Sequence, residues 1–311
     1  MPTICIGNLA VGGTGKTPHT EYLIRNLSKK YNAAVLSRGY GRKTSGYRLV
    51  ECSSLAREVG DEPLQMKVKF PDITIAVSES RVRGLQMLEE MSPPPEVVLL
   101  DDAYQHVAVR CSQQIVLTDY AHPYYADFPM PAGNLREFGR AAKETDAIIV
   151  TKCPADLSLR AAKEIERKLR LRGGQQCFFT TLCYQNPAPL TATAQNFILT
   201  PKTKIFLLTG IAHPEHLYEH ISSQFPDIEP IKFGDHHKFT QPEIDAICKK
   251  MATSTKESAL ITTEKDAARL RGTHLWEMLS SLPIFSIPVA IKFLWKEDEF
   301  LTLINQCFNK N

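Results

Sequence analysis

The spacing of apolar and polar positions switches repeatedly between strand and helix periods, and that switching predicts the architecture. Ile4, Cys5 and Ile6 form a short apolar run that breaks into a glycine-rich turn, after which Tyr22, Leu23 and Leu27 recur at helical spacing. A second run over 33–37 ends in Arg38-Gly39-Tyr40-Gly41-Arg42, where the two glycines mark a tight loop. Gly60-Asp61-Glu62-Pro63 opens a helix, with Asp61 as its N-cap and Pro63 in the first turn. Residues 73–77 read as a strand and 80–91 as a helix, which Pro93, Pro94 and Pro95 then stop. Val97 to Leu100 run without a polar break into Asp101 and Asp102, the pattern of a strand buried on both faces. Short strands at 115–117 and 147–150 and a charged helix at 161–171 continue the alternation. Strand alternating with helix in this way predicts an α/β fold, a parallel sheet in a P-loop NTPase-like α/β/α sandwich.

A polar, proline-containing stretch over 185–202 reads as a linker, and residues 205–210 begin a second α/β pattern. Its clearest helix spans 242–251, where Ile244, Ile247, Cys248 and Met251 fall on one face and Thr240 with Glu243 supplies a capping-box sequence. Strands at 259–262 and 284–289 follow. The expected organisation is a core domain over 1–184, a linker over 185–202, and a second, smaller α/β domain over 203–311 closing over the cleft.

Composition narrows the class. A chain of 311 residues with 43% hydrophobic and 23% charged content has the make-up of a soluble globular protein large enough for two domains. A net charge of +3 is too small to argue for nucleic acid, and none is expected as a partner. The eight cysteines form no C-x-x-C pair, which suits reduced, buried thiols better than a disulfide framework or a zinc site. No apolar run reaches the ~18 residues of a membrane span, and no signal peptide is read.

The chemistry centres on Ala10, Val11, Gly12, Gly13, Thr14, Gly15, Lys16 and Thr17. In the order strand, glycine loop, helix, this stretch matches the phosphate-binding loop G-x-x-x-x-G-K-[ST] except at its first position, Ala10. The glycines let backbone N–H groups turn toward a phosphate, the helix start and Lys16 add positive charge, and Thr17 offers a hydroxyl to Mg²⁺. The dinucleotide fingerprint fails, because Pro18 stands where its third glycine belongs. Asp101 and Asp102 end a buried strand at the same rim and are positioned to reach the metal. Together these features define a nucleotide triphosphatase or kinase with bound magnesium, without identifying the acceptor.

Other polar clusters offer supporting roles. His106 follows the two carboxylates closely enough to orient them, the alternative being a satisfied structural histidine. Arg136, in Asn134-Leu135-Arg136-Glu137, is suited to grip phosphate oxygens, the alternative being a solvated ion pair. Asp235, His236 and His237 lie in the most polar turn of the second half. Adjacent histidines rarely converge on one ion, so a base acting across an interdomain cleft is the better reading.

Taken together, Gly7-Asn8-Leu9 with the glycine loop, Ser37 to Arg42, Gly60 to Pro63, Asp101 to His106, Leu135 to Glu137, Asp235 to His237 and Thr263 to Asp266 resemble the tetraacyldisaccharide 4′-kinase family, in family order across nearly the whole chain. Ala103-Tyr104, where the family more often has Gly-Phe, is a mild departure. The resemblance implies ATP-dependent phosphorylation of the 4′-hydroxyl of a tetraacylated glucosamine disaccharide 1-phosphate to give lipid IVA, with ATP and Mg²⁺ as cofactors. By the same resemblance Lys16 binds the β- and γ-phosphates, Thr17 the metal, and Asp101 and Asp102 order the metal and its waters. Asp61 is implied as general base, in a dyad with a histidine of the second domain. His237 is preferred for it over His236, with His213 as a third candidate.

The resemblance also implies a lipid substrate at the cytoplasmic face of the inner membrane, with the enzyme bound peripherally. In the family a hydrophobic N-terminal segment precedes the first strand. Since Met1 stands just ahead of that strand, a shortened chain that binds membranes weakly is expected. The competing class is a P-loop NTPase acting as a nucleotide-driven switch. Val150-Thr151-Lys152-Cys153 faintly matches a guanine-specifying element, but Pro154 removes the carboxylate it requires.

Overall fold

The structure, a computed structural model, describes residues 1–104 and 108–308. His106 lies outside the described residues. Two sheets carry the fold. The strands, in chain order, are β1 (Thr3–Asn8), β2 (Ala33–Ser37), β3 (Arg48–Leu49), β4 (Thr74–Val77), β5 (Val97–Asp101), β6 (Gln113–Asp119), β7 (Ala147–Thr151), β8 (Gln176–Tyr184), β9 (Ala188–Pro189), β10 (Lys204–Thr209), β11 (Ile228–Lys232), β12 (Ser258–Thr263), β13 (Ile284–Ile287) and β14 (Val289–Phe293). The first sheet has the order β14-β8-β7-β6-β1-β5-β2-β4-β3 and the second the order β11-β10-β12-β13-β9.

In the first sheet β1 lies between β5 and β6, all parallel, with Ile6 opposite Asp101 and Asn8 opposite Leu117. β2 joins β5 in parallel with Leu36 opposite Leu100. The carboxyl ends of β1, β2 and β5 therefore open on one rim, at the point where the sheet order reverses, which is where open α/β sheets bind ligands. Alternate strand residues feed opposite faces. Ile4, Ile6 and Leu99 pack under α1 (Lys16–Leu27), while Cys5, Val98 and Leu100 face the other layer. Leu23, Ile24 and Leu27 anchor α1, each stabilising by about 1.5–3 kcal/mol when fully buried.

Short helices α2 (Ala56–Val59) and α3 (Asp61–Lys69) follow β3, and α4 (Arg81–Glu89) follows β4 with Ser80 accepting from Arg83 N as its cap. Gly84 lets α4 lie directly on β2, since a Cβ there would sit 2.7 Å from Leu36 Cδ2. α5 (Leu159–Leu169) covers the β7 side. In the second unit α6 (Ala192–Gln195) and α7 (Glu215–Ser222) cover one face, α8 (Gln241–Ala252) and α10 (His274–Leu279) the other, and α9 (Glu264–Leu270) starts directly at the end of β12. α11 (Glu297–Asn305) closes the chain on α1, through Phe300, Leu303 and Ile304. Among the described residues no helix is long and apolar enough to cross a membrane.

The structure departs from the expected partition at three places. The apolar run at 284–289 is two strands rather than one, and they belong to different sheets. β13 stays in the second sheet, while β14, beyond Pro288, pairs antiparallel with β8 in the first. The chain after 288 thus packs on the first sheet, although 203–311 was expected to form one unit. The stretch 185–202 is not a bare linker, since it holds β9, antiparallel to β13, and α6 capped by Thr191. Gln185 N donates to Pro288 O at 2.9 Å, joining the β8–β14 and β9–β13 pairs into one two-stranded ribbon that runs from sheet to sheet.

Candidate active site

The glycine loop leaves β1 at Asn8 and enters α1 through Gly15, whose φ of 86° places it in the left-handed region open to glycine. Asn8, fully buried, orders the loop: its Nδ2 donates to Ala10 O at 2.7 Å and Gly12 O at 3.4 Å, and its Oδ1 accepts from Lys16 Nζ at 3.0 Å. A second support comes from residues 129–136. Ala10 bridges Leu135, Val11 N donates to Asn134 O at 2.8 Å, and Arg136 N donates to Leu9 O at 2.7 Å. Beyond the loop, His19 is buried, with Nδ1 2.7 Å from Gly15 O and Nε2 3.0 Å from Thr180 Oγ1. Burial pushes its pKa down to about 4, so the imidazole is neutral at physiological pH.

The two strand-end carboxylates have different surroundings. Asp101 is buried and accepts from Thr20 Oγ1 and Ser37 Oγ, each at 3.2 Å. Burial, reinforced by the charges of Glu62 and Asp102, raises its pKa to about 7. Asp102 turns outward with φ 49°, and its carboxylate takes Arg136 Nη1 at 3.2 Å and lies 3.6 Å from Lys16 Nζ. Arg81, completely buried, fixes this corner from beneath by donating to the carbonyls of Ser78, Asp101 and Asp102 at 2.8, 3.3 and 3.1 Å. Gly7 is required where the corner crosses β1, because a Cβ would meet Tyr104 Cβ at 2.4 Å.

Across the rim stands Asp61. Gly60, with φ 93°, occupies the cap of α3 and packs against Gly39, so Asp61 is the first helical residue rather than the expected N-cap. Its Oδ1 accepts from Glu62 N at 3.0 Å. Its Oδ2 faces the second unit, taking Arg269 Nε at 2.9 Å and Nη2 at 2.8 Å, with His236 Nδ1 at 3.2 Å and Lys265 Nζ at 4.0 Å. Burial alone pushes this carboxyl up, but the His236 hydrogen bond and the Lys265 and Arg269 charges outweigh it and hold it well below the usual carboxylate range.

The histidine beside Asp61 is therefore His236, correcting the preference for His237. The backbone at His236 is left-handed, with φ 56°, which aims its side chain at α3. His237 points back into its own unit, with Nε2 3.0 Å from Glu243 Oε2 and its ring stacked on Phe233 at 4.3 Å. Glu243 also accepts from Thr240 N at 2.8 Å, so His237 serves the start of α8. His213 is exposed in the loop after β10. Asn8, Arg81, Arg269 and Lys265 were not assigned roles from sequence. Asn8 lies in Gly7-Asn8-Leu9 and Lys265 in Thr263 to Asp266, whereas Arg81 and Arg269 carry no local signal.

The residues present suit a nucleotide with a hard cation. A Cβ added at Gly12 or Gly13 would meet nothing within 4 Å, leaving the loop open to a phosphate. Thr14 Oγ1 and Glu137 Oε1 are buried with no hydrogen-bond partner. Thr17 and Asp102 offer the hydroxyl and carboxylate oxygens that Mg²⁺ prefers.

A glycine loop between a central strand and a helix start, facing strand-end carboxylates, makes this a P-loop protein of the α/β/α type. The family model described as Tetraacyldisaccharide-1-P 4′-kinase matches residues 1–309. The chain belongs to that family. It is 40% identical over 318 residues to the tetraacyldisaccharide 4′-kinase of Phocaeicola vulgatus, covering 100% of this chain and 87% of the relative. It is 43% identical to that of Flavobacterium johnsoniae, covering 92% and 82%. Among solved structures it is similar to LpxK from Aquifex aeolicus in complex with ATP, with a TM-score of 0.70 at 26% identity over 99% of this chain and 89% of that one.

Proposed function

We propose that the chain transfers the γ-phosphoryl group of ATP to the 4′-hydroxyl of a tetraacylated glucosamine disaccharide 1-phosphate, giving the 4′-phosphorylated lipid A precursor. The observation that carries this reading is a family match over residues 1–309 in a chain whose phosphate loop is complete from Gly12 to Thr17. Bound ATP with Mg²⁺ supplies the phosphoryl group and neutralises the charge that spreads over its oxygens. Lys16 and the loop amides would hold the phosphates, Thr17 and Asp102 would offer oxygens to Mg²⁺, and Asp101 would order the metal site from beneath. Arg136 stands on Asp102 beside the phosphate path. Asp61 accepts the proton of the 4′-hydroxyl as that oxygen bonds to phosphorus and ADP leaves, and His236 steadies the carboxylate.

The two sheets act as two domains, with the headgroup entering between α3 and the turn at 235–237. The acceptor's acyl chains remain in the bilayer, so the enzyme works as a peripheral protein on the cytoplasmic face of the inner membrane. The switch reading has no comparable support. Lys152, the lysine of its guanine element, is held by Asp119 at 2.8 Å.

The test is incubation with γ-labelled ATP and the tetraacyl disaccharide 1-phosphate. Label is expected on the lipid, and removed by a phosphatase. Phosphate released to water with no labelled lipid overturns the reading.

A further inference from the structure

Oδ2 of Asp61 is crowded. Arg269 Nε donates to it at 2.9 Å, and Arg269 Nη2 and His236 Nδ1 stand 2.8 and 3.2 Å away, so a guanidinium and an imidazole already fill the approaches to this oxygen. Oδ1 takes Glu62 N at 3.0 Å, which leaves it one lone pair for a further donor. The guanidinium is itself fixed at its other end. Arg269 Nη1 donates to Asp266 Oδ1 at 2.6 Å and to Gly210 O at 2.7 Å. Asp266 is completely buried, and its Oδ2 accepts from Thr263 Oγ1 at 2.7 Å and Gly210 N at 2.8 Å. Gly210 needs its missing side chain here, since a Cβ would stand 2.8 Å from Asp266 Oδ1. A rigid chain of hydrogen bonds thus runs from β10 and β12 of the second unit, through one arginine, to one oxygen of a carboxylate on the first.

We propose that Arg269 is a positioning residue for Asp61, which it holds by Oδ2 from the second domain so that Oδ1 is the oxygen that accepts the acceptor's proton. This rests on the reading of Asp61 as the base. The step balances simply: the proton passes from the sugar hydroxyl to Oδ1, while the Arg269 and His236 hydrogen bonds to Oδ2 remain in place. Because the guanidinium is anchored on the second unit, Asp61 is oriented only when the two units are apposed, which ties closure of the cleft to readiness of the base. A lysine cannot reproduce the arrangement, since one ammonium cannot span Asp61, Asp266 and Gly210 in the geometry of a planar fork.

The groups facing Asp61 are His236 and Asp235 from the turn after β11, Lys265 and Arg269 from α9, and Glu62 from its own helix; Asp235 Oδ1 lies 3.9 Å from both Arg269 Nη2 and Lys265 Nζ. Loss of Arg269 therefore removes a cation in direct contact with the carboxylate, leaving Lys265 Nζ farther off at 4.0 Å. The acid limb of the kcat profile should then move upward in pH.

The experiment compares the wild-type chain with Arg269→Met, Arg269→Lys, Asp266→Asn and Asp61→Ala. Measurements are kcat and KM for ATP over a pH series, with nucleotide binding as the check on folding. Arg269→Met should lower kcat on the order of 10²-fold, at the lower end of a general-base effect. Its KM for ATP should stay within about two-fold and its acid limb should rise, because the lost contact bears on Asp61 and not on the phosphate loop. Arg269→Lys should recover part of the rate. Asp266→Asn, which keeps the guanidinium but loosens its anchor, should fall between. A kcat within about three-fold of wild type in Arg269→Met, or a lost rate with an unmoved acid limb, overturns the proposal. An Asp61→Ala chain as active as wild type instead sinks the reading of Asp61 as the base, and is seen separately.

Discussion

Nη1 of Arg136 lies 3.2 Å from Oδ1 and 3.3 Å from Oδ2 of Asp102, so a guanidinium from the loop after β6 sits against the outward carboxylate at the end of β5. The pair puts a cation and a carboxylate side by side at the rim that carries the glycine loop. Arg136→Ala should lower kcat by about 10²-fold, the size typical for loss of one preorganised charge at a transition state. Steady-state assays with the lipid acceptor check it, and an unchanged kcat would make the pair a surface contact only.

Lys16 reaches the same carboxylate, 3.6 Å from Oδ1, and is tethered by Asn8. Lys16→Ala should weaken ATP binding and turnover together, because its charge meets phosphate in both the ground state and the transition state. Equilibrium nucleotide titration alongside steady-state kinetics separates this from a purely structural loss. Asn8→Ala should give a smaller effect of the same kind.

The two adjacent histidines should behave differently. His236→Ala removes a donor to Asp61 and should depress kcat, with little added loss when combined with Asp61→Ala, as expected for groups acting as a unit. His237→Ala should leave kcat near wild type and reduce stability by about 1 kcal/mol, the usual contribution of one side-chain hydrogen bond. Kinetics and urea unfolding of the two variants decide the matter; the opposite pattern would restore His237 as the partner of Asp61.

His19 makes stability pH-dependent. Its folded pKa of about 4 lies below the 6.5 of a free imidazole, so between those values the unfolded chain binds the proton and the folded chain does not. The sign is therefore a loss of stability as pH falls from about 6.5 toward about 4, amounting to about 2 kcal/mol at pH 5. The wild-type stability difference between pH 7 and pH 5 should exceed that of His19→Gln by about this amount. Equal differences in the two chains would place the acid sensitivity elsewhere.

Gly60 should tolerate no side chain. Its φ of 93° and a Cβ position 3.1 Å from Gly39 Cα combine backbone strain with a backbone clash. Gly60→Ala should cost about 1–3 kcal/mol and reduce kcat as well, because the same turn sets the position of Asp61. Thermal melting and kinetics would each register it.

The parts of the site that were legible in the sequence are those built within a few residues. The glycine loop, Lys16 and Thr17 follow one another along the chain, and the run of Val97 to Leu100 delivers Asp101 and Asp102 to the rim by strand geometry alone. What distinguishes His236 from His237 is a left-handed backbone at one of two neighbours, and composition at that turn carries no trace of it. Arg81 and Arg269 act over long separations, reaching carbonyls and carboxylates that only the sheet order brings near. Two of the elements missed show why in their patterning. β11 has no buried residue among its five, and β14 was hidden because one apolar run crosses Pro288 without a polar break.

The ribbon made by residues 180–189 and 285–293 has a mechanical consequence. Two units joined by a single strand of chain can swivel about every axis. Joined by a pair of strands that are hydrogen-bonded on both sides of the crossing, they form a flexure, soft to bending across its thin dimension and stiff to shear and independent rotation. Arg269 and His236 therefore reach Asp61 from a unit that two hydrogen-bonded strands, rather than one, hold to the first sheet.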